Sequence, residues 1–423
     1  MSEPITAQDH PIRRGFLFQG GFPMTPFSKV CGIVCEYNPF HNGHRLQLNQ
    51  LHRDGGAAVC VLSGTFVQRG EPAIVSRRCR VACALRGGAD LVLELPAVWA
   101  CAGAERFAAA GIAILHGLGC VDELWYGSEH PDAARHLSVA RLLDAPAFSQ
   151  ELRKYLSTGC TFAAARSAAA ASLTDATTAE LLASPNDTLG IEYCKAILRQ
   201  NSSICPHPIL RESAPHDSTV TTDGIASASL IRTRMRTGDL PQDLLPPETL
   251  PLLRQALQQQ GGPSDPALLA RAVLARLRTM TPEEAAVLPD LSEGLERRLL
   301  QSARTATTLE ELYDTCKTRR YTHARIRRLV WAAMLTVTEA DQSALPPYIR
   351  VLGLTPRGRQ ILQQAKSTAT LPIVTRPGDI RALSPFAQRI FQLECIAGDL
   401  WGLSVPTIQP CGQEYTDPVQ FYC

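Results

Sequence analysis

Apolar and polar positions follow two different rhythms along this chain, and the change between them divides it. After Met24, short apolar runs are separated by segments of helical spacing, the order expected of a parallel sheet with crossover helices. Residues 30–35, 57–62, 91–95, 123–126 and 207–210 are the predicted strands. A first helix is predicted over 44–53. Ser76 caps a second that runs to Arg86, where Gly87 and Gly88 stop it, and an alanine-rich helix extends through Ala113. Residues 131–200 read as helical, with a break at Ser184-Pro185-Asn186-Asp187 where Asn186 or Asp187 can cap the helix through Lys195. A serine-rich turn at 225–232 opens another helix. The proline-containing stretch 238–247 is the predicted boundary, because beyond it, at 251–259, 266–278 and 293–304, the apolar spacing is helical. The pattern therefore predicts an α/β protein: a Rossmann-like domain with a parallel sheet over 24–237, then a mainly helical region over 248–423. Residues 1–23 show no periodic apolar pattern and read as a disordered extension.

Composition changes this picture little. A chain of 423 residues has room for two or three domains at roughly 100–200 residues each. The net charge of +2 argues neither for nor against nucleic acid, so only a local patch can decide. That patch is KTRRYTHARIRR at 317–328, where seven of twelve residues are Lys, Arg or His, Tyr321 lies among them and no acid balances them. Charge runs are mostly solvated faces, but one without acids reads as an RNA-backbone contact. The apolar stretch 91–103 is interrupted by Glu94 and Pro96 and falls short of the roughly 18 residues of a membrane span. Residues 1–23 lack the apolar core and cleavage site of a signal peptide, so the expectation is a cytoplasmic protein with no membrane partner. The 14 cysteines include no Cys-x-x-Cys pair and read as small buried thiols.

The candidate chemistry lies directly after the first predicted strand. The segment EYNPFHNGH, 36–44, ends in His-x-Gly-His. Two imidazoles three residues apart at a helix opening point the same way, and Gly43 lets backbone approach a bulky anion. Helix N-termini add unpaired N–H groups and the positive end of a dipole, which together make a phosphate site. When an oxyanion attacks the α-phosphorus of a nucleotide, the protein mainly positions the groups and neutralises phosphoryl charge. His41 and His44 suit that work. Four residues alone also arise by chance in surface loops, and it is the strand–turn–helix context that gives the motif weight. Metal binding by the same pair lacks a third ligand at a recognisable spacing. Ligands in such sheets bind at the carboxyl ends of strands, so His41, the Gly64 loop and Gly127 are expected along one edge. Serines and Arg232 at the 225–232 turn form a second phosphate-grade site, although a plain serine-capped helix accounts for them equally well.

Seven segments then point one way. GIVCEYNPFHNGH (32–44), SGTFVQRGEPAIVS (63–76), GADLVLELP (88–96), YGSE (126–129), SPNDTLGIEY (184–193), SASLIR (227–232) and KTRRYTHARIRR (317–328) occur in order, and the likeness runs on to YIRVLGL at 348–354. Together they resemble the tRNA(Met) cytidine acetate ligases of the nucleotidyltransferase superfamily; His-x-Gly-His alone is shared with many adenylyl- and cytidylyltransferases. The resemblance implies a Rossmann-like nucleotidyltransferase domain followed by a helical tRNA-binding region. It implies that ATP and acetate give acetyl-adenylate and pyrophosphate, and that the acetyl group passes to the wobble cytidine of elongator tRNA(Met) as N4-acetylcytidine. Carried over by motif, His41 and His44 are catalytic. The ATP site takes in Val34, Cys35, Glu36, Tyr37, Asn38, Pro39, Phe40, His41, Asn42, Gly43, His44, Arg45, Leu46 and Gln47, together with Gly127, Asn186 and Arg232, the last at the pyrophosphate end. Mg2+ can accompany the ATP, with no dedicated protein site identified. No Lys-Met-Ser-Lys-Ser loop is present, which argues against an aminoacyl-tRNA synthetase. Two rivals stand beside this reading. One is adenylyl transfer to a small phosphorylated metabolite, which leaves the basic helical half without a task; the other is an RNA-binding protein with a nucleotide sensor. Residues 1–23 precede the place where such proteins usually begin, and the tail 408–423 matches nothing identified.

Overall fold

The computed structural model describes residues 27–174, 176–211, 224–291, 294–318 and 321–423. The expected extension 1–23 lies outside them, as do Arg319 and Arg320 of the basic run. The strands are β1 (Lys29–Cys35), β2 (Gly56–Ser63), the short pair β3 (Phe66–Val67) and β4 (Glu71–Pro72), β5 (Leu91–Leu95), β6 (Glu123–Ser128), β7 (Cys205–Leu210), β8 (Ile349–Leu354), β9 (Ile373–Val374) and β10 (Gln420–Phe421). Five run parallel in the order β5-β2-β1-β6-β7, each where the sequence predicts a strand. Every residue of β2 and β5 is buried, which is why these strands read as unbroken apolar runs. The crossovers include α1 (Asn42–Arg53) and α2 (Arg77–Arg86), the latter capped by Ser76 as expected. The helix Ala104–Leu118 lies very close behind β1. A Cβ at Gly32 would meet Leu115 Cδ1 at 2.6 Å, and one at Gly111 would meet Val34 Cγ2 at 2.7 Å.

The sheet does not stop at its parallel part. β8 runs antiparallel on the outer edge of β5, with Leu91 opposite Leu354, and β9 and β10 pair with β8. The expected parallel sheet is thus the larger part of an eight-stranded, mostly parallel one. Residues past 248 are mainly helical, but they also supply these three strands. The stretch 238–247 is not a break in the core: Val30, Val61 and Leu93 share one apolar cluster with Trp331, Ile349, Phe391 and Val405.

A buried ionic cluster ties the C-terminal tail to the sheet. Arg77 of α2 lies 2.7 Å from Glu94 of β5 and 2.5 Å from Glu414, while Arg350 of β8 lies 3.1 Å and 2.5 Å from the same two carboxylates. Glu394, on the helix Pro385–Trp401, accepts from the Ala97 N–H at 2.6 Å. Burial, then Glu94 and Glu414, push its carboxyl up to about 8. The tail that matched no pattern in sequence thus supplies both Glu414 and β10.

Candidate active site

Where β1 ends, the chain makes a tight turn. Tyr37 takes φ = 44°, a left-handed conformation that costs a non-glycine residue on the order of 1 kcal/mol. Packing offsets that cost: the Tyr37 and Phe40 rings are buried and meet edge-on at 4.9 Å. The peptide bond Asn38–Pro39 is cis. Asn38 Oδ1 accepts from the Ile74 N–H at 2.7 Å, and its carbonyl accepts from Arg232 Nη1 at 2.9 Å. The turn delivers His41 to the N-cap of α1. There Gly43 N–H donates to His41 Nδ1 at 3.1 Å, His41 N–H donates to His44 Nδ1 at 3.3 Å, and the two rings stack at 3.7 Å. A Cβ at Gly43 would sit 3.1 Å from His41 Cε1. The glycine therefore makes room for the folded-back imidazole as well as for an anion.

This capping pattern fixes the chemistry of both rings. A neutral imidazole whose Nδ1 accepts carries its proton on Nε2. Burial, then the charges of Arg211 and Arg232, lower His41 to about 3; burial, then His41 and Arg211, hold His44 well below its ordinary value. At neutral pH both side chains are uncharged Nε2–H donors.

They open onto a cleft of about 720 Å³ at the carboxyl ends of β1 and β6, where the strand order reverses. Of the expected ATP-site residues, Val34, Cys35, Glu36, Tyr37, Asn38, His41, Gly43, His44, Leu46, Gln47, Gly127 and Asn186 line it. Pro39, Phe40, Asn42, Arg45 and Arg232 do not. Phe40 is buried beneath the turn, Asn42 Nδ2 donates to the carbonyls of Gly224 and Asp243 at 3.0 Å each, and Arg45 pairs with Glu248 at 3.0 Å. Arg232, expected to face pyrophosphate, is buried and tied to Asn38 and to Ser229 Oγ at 3.3 Å, with Glu71 at 3.4 Å. In this structure it braces the histidine turn from behind.

Asn186 is not the helix cap it was expected to offer. Ser184 is the N-cap of Pro185–Arg199, and Asn186 lies one residue inside. Its Nδ2 donates to Glu129 Oε1 at 2.6 Å and its Oδ1 accepts from Arg211 Nη1 at 2.8 Å. Asp187 accepts from Ser128 Oγ at 2.5 Å and from His130 Nδ1 at 2.7 Å, fastening this helix to the loop after Gly127. Arg211 is the site residue that the sequence reading missed. It follows β7 directly, and that position at a strand end was the available signal. A cleft of neutral donors and a guanidinium at a helix N-terminus suits a polyphosphate. Among the described residues no group of three or more His, Cys, Asp or Glu side chains is placed to hold a metal.

The described part of the basic run is half-buried rather than freely solvated. It enters the helix His323–Leu335, where Arg325 donates to the Asp290 carbonyl at 2.5 Å and Arg327 lies over the Tyr313 ring at 5.5 Å. The backbone of Arg327 and Arg328 packs against Gly70, next to β4. The expectation of an uncompensated run is corrected at His323, which lies 3.1 Å from Asp314 of the preceding helix.

Fold and site define a nucleotide-binding enzyme of the His-x-Gly-His class, and the family described as HIGH Nucleotidyl Transferase matches residues 28–415. The tRNA(Met) cytidine acetate ligase of Acetivibrio thermocellus is 37% identical over 411 residues, spanning 92% of this chain and 99% of the relative. That of Alkaliphilus metalliredigens is 35% identical, spanning 89% and 94%. The apo crystal structure of Thermotoga maritima TmcAL superposes with a TM-score of 0.89 at 31% identity, covering 93% of this chain and 99% of that one. A second crystal form, bound with alpha-thio ATP, gives 0.86 at 30% identity, covering 93% and 100%. The chain belongs to the tRNA(Met) cytidine acetate ligase family.

Proposed function

We propose that this protein is an ATP-dependent acetate ligase that forms acetyl-adenylate and transfers the acetyl group to the wobble cytidine of elongator tRNA(Met), giving N4-acetylcytidine. The observation that carries the reading is the pair of neutral, stacked imidazoles at the N-terminus of α1, opening onto a cleft large enough for a nucleotide. In the first step acetate oxygen attacks the α-phosphorus and pyrophosphate leaves. His41 and His44 donate through Nε2–H to the phosphoryl oxygens as negative charge builds there, and Arg211 adds a fixed positive charge at the cleft wall. The α1 N-terminus contributes its dipole in the same direction. Arg232 acts by holding the Asn38 carbonyl, and with it the turn that aims both rings. In the second step the cytidine amine attacks the acetyl carbonyl and AMP leaves. Among the described residues no helix is long and apolar enough to cross a membrane, in keeping with an enzyme that meets tRNA in the cytoplasm.

The test has two arms. Acetate-dependent exchange of labelled pyrophosphate into ATP reports the first step, and mass spectrometry of nucleosides from tRNA incubated with ATP and labelled acetate reports the second. Exchange together with labelled N4-acetylcytidine is the expected result. Exchange that does not depend on acetate overturns the proposed substrate.

A further inference from the structure

Acetyl transfer needs more than a bound adenylate. The exocyclic amine of cytosine is a weak nucleophile because its lone pair is shared with the ring, and the attacking nitrogen must shed a proton as it bonds to carbon. The two histidines are poor candidates to receive it. Their Nδ1 atoms are engaged by the helix cap, and both rings are held in the neutral form with little affinity for a further proton.

Two carboxylates line the cleft among the described residues, Glu36 and Asp54. Asp54 is the C-cap of α1, so the twelve-residue helix separates it from the imidazoles by about 18 Å. Glu36 is the residue next to β1, five positions before His41. Its Oε1 accepts from the Gln68 N–H at 2.8 Å, at the turn between β3 and β4, and no hydrogen bond to Oε2 is found among the described residues. Its own carbonyl is gripped by Arg80 Nη1 at 2.8 Å. One carboxylate oxygen is thus fixed from below, at the floor of the cleft.

We propose that Glu36 is the general base of the acetyl-transfer step, accepting the proton of the cytidine amine through Oε2. The proposal rests on the acetate-ligase reading above. As the N4–C bond forms, the bond from the acetyl carbon to the adenylate oxygen breaks. AMP leaves with that electron pair, and the N4 proton passes to the Glu36 carboxylate. Burial raises the carboxyl above the ordinary glutamate range, opposed by the Gln68 N–H and by Arg232, which makes it a better proton acceptor than a solvated carboxylate. The charged and titratable groups around it are Arg232, Glu71, Arg69, Arg80, Tyr193 and Cys101.

Glu36→Gln separates this role from a merely structural one, because the amide oxygen can still accept from Gln68 N–H while the basic oxygen is lost. Enzyme loaded with labelled acetyl-adenylate is mixed with tRNA in a rapid-quench apparatus, and pyrophosphate exchange is measured on the same preparation. The ratio of transfer rate to exchange rate should fall on the order of a hundredfold in the variant. The wild-type transfer rate should decline toward acid pH as Glu36 takes up a proton, and the variant should lack that limb. A ratio within threefold of wild type overturns the proposal, as does a wild-type transfer rate that shows no decline as pH is lowered through the glutamate range. The wild-type profile decides the matter by itself if the variant does not fold. Failure of wild-type enzyme to acetylate tRNA at all would instead overturn the underlying reading.

Discussion

His41 carries two roles through two different nitrogens, and one substitution separates them. Nδ1 caps α1 by accepting from Gly43 N–H, while Nε2–H is left to donate into the cleft. Alanine removes both. Loss of an N-cap costs about 1 kcal/mol. For a chain of 423 residues, with an unfolding entropy near 2 cal/mol/K per residue, that lowers the melting temperature by about 1 °C. Asparagine is among the best N-caps, and its Oδ1 takes over the Nδ1 role, so His41→Asn should melt within about 1 °C of wild type. Neither variant retains Nε2–H. Loss of one preorganised donor to developing oxyanion charge costs about 2.7–4 kcal/mol, so acetate-dependent ATP–pyrophosphate exchange should fall by roughly 100–1,000-fold in both. A pH signature accompanies this. Because His41 is lowered to about 3 in the folded protein, its ionisation should leave exchange flat between pH 8 and 5. The ring's neutral-state stabilisation, by contrast, is present above the unfolded value near 6.5 and is lost as pH falls toward 3, up to about 5 kcal/mol. Exchange within threefold of wild type in His41→Asn would refute the donor role. An imidazole-like loss of wild-type exchange around pH 6.5 that disappears in the variant would refute the neutral tautomer.

Three further outcomes follow from the rest of the fold. Glu394 titrates at about 8 when folded, against about 4.5 when unfolded, so the stability it contributes is present below 4.5 and lost as pH rises to 8; the melting temperature of Glu394→Gln relative to wild type should therefore climb across that window, and a constant difference in thermal denaturation would count against it. Gly64→Ala would place a Cβ 2.2 Å from Glu394 Oε1 and 3.1 Å from its Cδ, in a site with no room to yield, so calorimetry should show a loss of about 1–3 kcal/mol; an unchanged melting temperature would be the contrary result. Within the basic run, Arg328→Ala should lower stability because the side chain is half-buried near Asp290 and Cys101, whereas neutralising Arg319 and Arg320 should reduce the salt dependence of tRNA binding by roughly 0.7–0.9 per lost phosphate contact; a salt slope that does not change speaks against RNA contact there.

What the sequence made legible was what local chemistry decides. β1, β2, β5 and α2 were readable to within a residue or two, because unbroken apolar runs, a serine cap and a glycine stop act over a few positions. The histidine turn was legible for the same reason. Arg232 read as a ligand contact from its place at a helix start, a direction that only tertiary packing settles, while the strand-end position of Arg211 went unused. Arg232 is drawn to the Asn38 carbonyl, 194 residues away in sequence, while Arg211 remains at the cleft. The basic run misled because its arginines pack on rings. Arg325 lies over Tyr321 at 5.2 Å and Arg327 over Tyr313, with Ile326 between them in sequence buried, so a stretch that looks solvated is half inside. β9 and β10 have two residues each, too few to establish any period, and β8 is a six-residue buried run whose place on the edge of β5 only tertiary pairing decides.

The placement of β8 has a consequence for how the protein is made. During synthesis the five parallel strands leave the ribosome first, yet the edge of β5 stays open and Glu94 has no Arg350 beside it until 256 more residues have been added. At about 5–20 residues per second that interval lasts roughly 10–50 s. Throughout it, the nascent chain exposes a row of unpaired backbone groups on an apolar strand, the kind of edge that other chains can join. The N-terminal half therefore depends on the C-terminal half to seal its own sheet, and codon-dependent pauses after β7 would lengthen its exposure.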